Sequence, residues 1–145
     1  MSQVRVMVVD DTSDDLMLFQ RAVNQNDTVK EIKLTEVRSA EAALRKLAAP
    51  SQLPDLIFLD LHLDLMSGLD LLKELKASKR TQHIPVIVTS GNEGDISIME
   101  AVREGASSYI FKDFDFEEYY STLRAVIVYW VDYNQIPTDP SIMPA

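Results

Sequence analysis

Cysteine is absent from the 145 residues, which excludes disulfides, thiol nucleophiles and zinc sites of the cysteine type. Histidine is nearly absent: His62 and His83 are the only imidazoles for metal or base work. Positive charge is also short, with 14 Lys and Arg against 23 Asp and Glu for a net charge of -9. Such a chain repels phosphate backbones and anionic lipid, which argues against direct nucleic-acid binding. Long apolar runs are missing too. No segment reaches the roughly 20 apolar residues of a membrane span, and the start MSQVRVMVVDD has no basic stretch leading into an apolar one. From these absences the protein is expected to be soluble and unprocessed, and a reducing cytoplasm fits. What is present, 46% hydrophobic and 26% charged residues over 145 positions, is enough for one domain with one core and no need of metal or crosslink for stability.

Three short apolar runs stand out, at residues 4–9, 56–59 and 86–89, the first two closed by Asp10 and Asp60. Their length and β-branched content suit strands buried on both faces, as in a parallel sheet covered by helices. Residues 32–37 and 108–111 are weaker strand candidates, and stretches with a period near 3.6 lie between the five. The first helix is expected over 14–25, capped by Thr12 or Ser13. Ser39 is expected to cap the second, whose stripe is Ala43, Leu44 and Leu47. Pro50 and Pro54 bound the next loop. Leu69, Leu72 and Leu75 mark a third helix after Ser67-Gly68, and residues 98–102 lie in a fourth that ends at Gly105. Residues 116–133 form the last and longest helix, with an apolar stripe from Phe116 through Tyr119, Tyr120, Leu123, Val126, Ile127 and Trp130 to Val131. Five β-α repeats with right-handed crossovers predict an α/β, doubly wound, flavodoxin-like (βα)5 parallel sheet in strand order 2-1-3-4-5.

In such a sheet the carboxyl ends of the strands share one rim. The first strand ends in Asp10-Asp11, the third in Asp60, the fourth in Thr89-Ser90-Gly91, and the fifth leads to Lys112. Singly, each reads as an ordinary cap, turn or surface charge. Together, three carboxylates on one rim repel unless a cation joins them, and hard oxygen ligands point to Mg²⁺. A nearby ammonium and hydroxyl can hold phosphoryl oxygens, so the combination is that of a phosphoryl-transfer site.

The motifs VMVVDD, DLIFLDLHLDLMSG, IPVIVTSG and SSYIFKD resemble those of response-regulator receiver domains over about residues 3–130. The resemblance implies that Asp60 is the phosphoacceptor. It further implies that Asp11, Asp60 and the backbone carbonyl of His62 bind Mg²⁺ directly, and that Asp10 does so largely through water. Ser90 and Lys112 would bind the phosphoryl group, Ser90 and Tyr109 would form the switch, and His62 and Asn92 would tune phosphoryl lifetime. A sensor histidine kinase or a phosphotransfer protein would be the donor, and the receiver would itself catalyse phosphorylation and dephosphorylation. The side chain of His62 is expected at the pocket rim, and His83 is expected to be an exposed loop residue.

Two positions depart from the family pattern, Asp64 and Asp113, where the family usually has Pro; Asp113 raises the question of a cis peptide after Lys112 and of competition for its ammonium. A phosphohydrolase of the haloacid dehalogenase type is disfavoured because His62 stands where that family needs a second Asp. The remaining rival is a receiver-like binding module working without phosphorylation, but no functional position is lost here. The domain is expected to span residues 1–133, with an extended, proline-rich tail over 134–145 and no output domain. The aromatic end VYWVDYNQIP also resembles the stand-alone receivers associated with bacterial phytochromes, which implies a phytochrome-type kinase and a homodimer through the last helix, with Tyr120, Trp130 and Tyr133 in the contact surface.

Overall fold

The computed structural model describes residues 3–49, 53–91 and 94–136. Its apolar runs become β1 (Gln3–Val9), β2 (Glu31–Val37), β3 (Leu56–Asp60), β4 (Val86–Ser90) and β5 (Ser108–Phe111). The periodic stretches become α1 (Ser13–Asn24), α2 (Ala40–Leu47), α3 (Gly68–Ala77), α4 (Asp95–Arg103) and α5 (Phe116–Val128). All strand pairs are parallel, in the expected order β2-β1-β3-β4-β5. Every residue of β3 and β4 is buried, the burial that an uninterrupted apolar run predicts for a sheet covered on both faces.

Alternation along the strands divides the core in two. Val4, Val6, Val8, Leu56, Phe58 and Ile87 face Leu16 and Phe19 of α1 and Leu123 and Ile127 of α5. Met7, Val9, Ile57, Leu59, Val86 and Val88 face α2, α3 and Ala101 of α4. Phe19 meets Phe58 edge-on, with ring centroids 4.7 Å apart.

Ser39 and Ser67 cap α2 and α3 by accepting from Ala42 N and Asp70 N, and Gly105 supplies the left-handed residue after α4 with φ +98°. The expected hydroxyl cap of α1 does not form. Thr12 occupies the cap position, but its side chain makes no capping bond; Thr12 N donates to Asp10 Oδ1 at 2.9 Å, and Ser13 Oγ accepts from Arg38.

The last helix differs most from expectation. Its α-helical part stops at Val128, and Tyr129–Tyr133 form a π-helical turn closed by Asn134 N to Tyr129 O at 2.8 Å. The wider turn keeps Val131 buried while the Asp132 carboxylate accepts from Val29 N at 2.9 Å and Lys30 N at 3.2 Å. Tyr120, expected on a contact surface, is a core residue: it is 9% exposed, its hydroxyl donates to Gln25 Oε1 at 2.6 Å, and the Arg21 guanidinium covers its ring. Trp130 is half-buried against the same core, so of the three expected contact residues Tyr133 alone is largely exposed. Phe116, the expected start of the stripe, is exposed because the helix begins there, beyond the edge of the core. His83 is half-buried rather than exposed. Pro50, Asn92 and the tail from Pro137 lie outside the described residues. Among the described residues, no helix is long and apolar enough to cross a membrane.

Candidate functional site

The strand register carries the apolar runs to a common level and leaves polar side chains at their ends. Val9 lies opposite Leu59, Asp60 opposite Thr89, and Ser90 opposite Phe111, the residue before Lys112. Asp10, Asp60 and Ser90 are buried there, Ser90 completely. Carboxylate oxygens of Asp10, Asp11 and Asp60 lie within 4.8 Å of one another.

Backbone donors fix each carboxylate. Asp10 Oδ1 accepts from Thr12 N at 2.9 Å, Asp60 Oδ1 from His62 N at 2.9 Å, and Asp11 Oδ2 from Asp64 N at 3.2 Å. The last bond gives Asp64 a place: the loop after β3 folds over the site and reaches Asp11 through its main chain. Leu65, next in that loop, adopts φ +62° with its side chain in solvent. Gly68 sits where α3 begins, against the end of β3. A Cβ there would overlap the Asp60 carbonyl oxygen and lie 2.7 Å from Leu61 Cα, so only glycine permits this approach.

Lys112 reaches into the cluster. Its Nζ lies 2.7 Å from Asp15 Oδ2, 2.8 Å from Asp10 Oδ2 and 3.3 Å from Asp60 Oδ2. Burial pushes the Asp10 and Asp60 carboxyls above their ordinary 3.8, although the Lys112 ammonium pulls both down. Burial alone would lower the Lys112 ammonium, but the surrounding carboxylates outweigh it and hold the lysine protonated. The Lys112–Asp113 peptide is trans, since no cis bond occurs among the described residues. The Asp113 carboxylate turns away to accept from Asp115 N at 2.9 Å. The acid that shares Lys112 is therefore Asp15, which the sequence reading missed. As the second acid of an Asp14-Asp15 pair in the first turn of α1, it reads as dipole compensation; its spacing of four from Asp11 was the available signal.

His62 and Ser90 also meet, with Nε2 3.1 Å from Oγ. The exposed imidazole sits at the rim, as expected, and reaches the buried hydroxyl from there. Tyr109 is half-buried on β5 and packs against the core beneath α3 and α4. Asp10, Asp11, Asp60, His62, Ser90 and Lys112 therefore converge, Tyr109 lies back from the rim opposite Val88, and Asn92 is not among the described residues.

The donor set suits a hard divalent cation: carboxylate oxygens from three residues, two of them buried with their charge disfavoured, and no competing sulfur ligand.

The profile of the response regulator receiver domain matches residues 6–124. The probable methanogenesis regulatory protein FilR2 of Methanothrix harundinacea is 29% identical over 136 residues, covering 91% of this chain and 86% of FilR2. Some curated relatives are longer, and the chain spans only 24% to 50% of their length. The phosphorylated cyanobacterial phytochrome response regulator RcpA superposes with a TM-score of 0.86 at 25% identity, covering 94% of this chain and all of RcpA. The Mn²⁺-bound form of response regulator Rcp1 also gives 0.86, at 21% identity over 93% of this chain and 99% of Rcp1, a likeness of fold.

Proposed function

This chain belongs to the response regulator receiver family, and from that premise we propose that Asp60 accepts a phosphoryl group from the phosphohistidine of a sensor kinase or phosphotransfer protein. The observation that carries the assignment is the buried Asp60 carboxylate, held between Asp10, Asp11 and the Lys112 ammonium at the end of the central strand. An Asp60 carboxylate oxygen attacks phosphorus in line, the P–N bond to the donor imidazole breaks, and the imidazole leaves with its electron pair and takes a proton. Lys112 supports the phosphoryl oxygens by charge-assisted hydrogen bonds. His62 N, already bonded to Asp60 Oδ1, orients the nucleophile.

Asp10, Asp11 and Asp60, with the main-chain carbonyl of His62, would hold Mg²⁺. Bound there, the ion supplies positive charge that offsets the charge gathered on the phosphoryl group during transfer. Water then hydrolyses the acyl phosphate, with His62 and Asn92 tuning its lifetime.

Phosphorylation is read out by Ser90 and Tyr109. The added phosphoryl oxygens draw the Ser90 hydroxyl toward Asp60, and the Tyr109 ring follows into the space this leaves, shifting the surface of α4, β5 and α5. The likeness to RcpA supports a phytochrome-type kinase as the donor. The receiver occupies residues 1–133, works in the cytoplasm and passes its signal by protein contact, with a homodimer through the last helix as one such contact. Tyr129 and Tyr133, exposed near its C-terminal end, are aromatic residues available for it.

The test is incubation with Mg²⁺ and acetyl phosphate followed by intact mass spectrometry. The wild type should gain one phosphoryl group, and both Asp60→Asn and metal chelation should abolish the gain. An equal gain in Asp60→Asn would place the phosphate elsewhere.

A further inference from the structure

The Lys112 ammonium lies among three carboxylates that a bound cation would not treat alike. An ammonium has three donors, and here two are committed at 2.7 Å to Asp15 and 2.8 Å to Asp10, while the contact to Asp60 is longer, 3.3 Å. Asp10 and Asp60 belong to the group of carboxylates suited to a cation, and Asp15 does not. A divalent ion on Asp10, Asp11 and Asp60 would repel the ammonium and take over the charge that now attracts it. Asp15 is the one carboxylate partner of Lys112 that such an ion leaves uncommitted. The main chain fixes only the start of the side chain: Lys112 N donates to Ser90 O at 2.8 Å, after which the chain leads into exposed residues 113–116, and the long lysine side chain has several rotatable bonds.

We propose that Asp15 is a positioning residue that anchors the Lys112 ammonium when the metal is bound, so that the lysine stays within reach of a phosphoryl group on Asp60. The proposal rests on the phosphoacceptor reading of Asp60. Asp15 touches neither metal nor phosphate; it acts through Lys112. It also brings α1 into the site, so a partner that shifts the first turn of α1 alters phosphoryl binding without touching any strand end.

Two measurements test this, both by NMR on the full chain with beryllofluoride as the phosphoryl mimic. In Asp15→Asn, Mg²⁺ affinity should stay within about twofold of wild type, whereas beryllofluoride affinity at saturating Mg²⁺ should fall about tenfold, the scale of one charge-assisted hydrogen bond. Asp15→Glu, which keeps the charge, should restore much of the loss. Unchanged or tighter mimic binding in Asp15→Asn overturns the proposal, as does an equal fall in Mg²⁺ affinity, which would mean a general disturbance of the site. The second measurement needs no variant. The Lys112 ammonium resonance of the wild type should remain protected from exchange when Mg²⁺ is added, and its loss overturns the anchor. Failure of the phosphoacceptor reading is distinguishable, because wild type would then bind no mimic while the ammonium signal still reported on Asp15.

Discussion

His62 Nε2 and Ser90 Oγ lie 3.1 Å apart, so the hydroxyl expected to move toward a phosphoryl group is bonded to a side chain two residues beyond Asp60. Moving it means exchanging that bond, and a neutral side-chain hydrogen bond is worth about 0.5–1.5 kcal/mol net. His62→Ala should therefore tighten beryllofluoride binding by about two- to tenfold, since 1.4 kcal/mol is a factor of ten. Fluorescence or NMR titration measures it, and weaker binding would show that the imidazole helps rather than restrains the phosphorylated state.

Asp60 is costly to keep charged in the metal-free protein, because burial pushes its carboxyl up despite Lys112. Asn has the same shape without the charge. Asp60→Asn should raise the metal-free Tm, and added Mg²⁺ should stabilise the wild type more than the variant. Differential scanning fluorimetry with and without Mg²⁺ reads both effects.

The passage from β3 into α3 holds two backbone positions with opposite demands, Leu65 in the loop and Gly68 at the first position of α3. A Cβ at Gly68 runs into the main chain of Asp60 and Leu61, so Gly68→Ala should cost about 1–3 kcal/mol and displace the Asp60 carbonyl. Leu65 holds φ +62° with its side chain 92% exposed, a conformation that costs an L-residue about 1–2 kcal/mol. Leu65→Gly should relieve this and give a net gain of about 0.5–1 kcal/mol after the greater freedom of the unfolded chain is counted. Urea denaturation of the pair should move in opposite directions.

His83 gives stability a pH dependence away from the site. Burial and the nearby Lys76 ammonium lower its pKa below the ordinary 6.5, against the weaker opposing pull of Asp55. Among the described residues its Nδ1 is buried without a hydrogen-bond partner. The folded state then binds the proton less readily than the unfolded state. Stability is complete above pH 6.5 and is lost as pH falls from there through the folded value, with a slope that cannot exceed about 1.4 kcal/mol per pH unit. Urea midpoints between pH 7.5 and 5 should fall less in His83→Asn than in the wild type; parallel curves would exclude His83 as the cause.

Asp132 ties the π-helical turn to the start of β2 through Val29 N and Lys30 N. Asp132→Ala leaves both donors without that carboxylate and should cost about 1–2 kcal/mol. Hydrogen exchange should rise first at Val29 and Lys30 and stay unchanged at β3, whose residues are wholly buried.

Much of the site was legible because β-strands announce where they end. An apolar run closed by Asp10, another closed by Asp60, and a third leading to Thr89 and Ser90 place their polar residues on one rim once the sheet is parallel. Asp15 was not legible, since a carboxylate in a first helical turn has an ordinary role whichever way it points. The His62 contact depends on a side-chain rotamer that spacing does not fix. The last helix misled for a different reason: periodicity locates an apolar stripe but not how wide a core it meets. Hence Tyr120 turned inward under Arg21, Phe116 stayed outside, and the final turn widened to bring Asp132 onto the β2 backbone.

Among the described residues the sheet ends in β2 on one side and β5 on the other, and neither edge invites another strand. β5 is four residues long, too brief to template much pairing, and β2 carries Glu31, Lys33 and Glu36 exposed along its length. Charged or very short edges resist extension of a sheet from one molecule to the next. Crowding this protein at high expression should therefore not seed cross-β aggregation from its folded state.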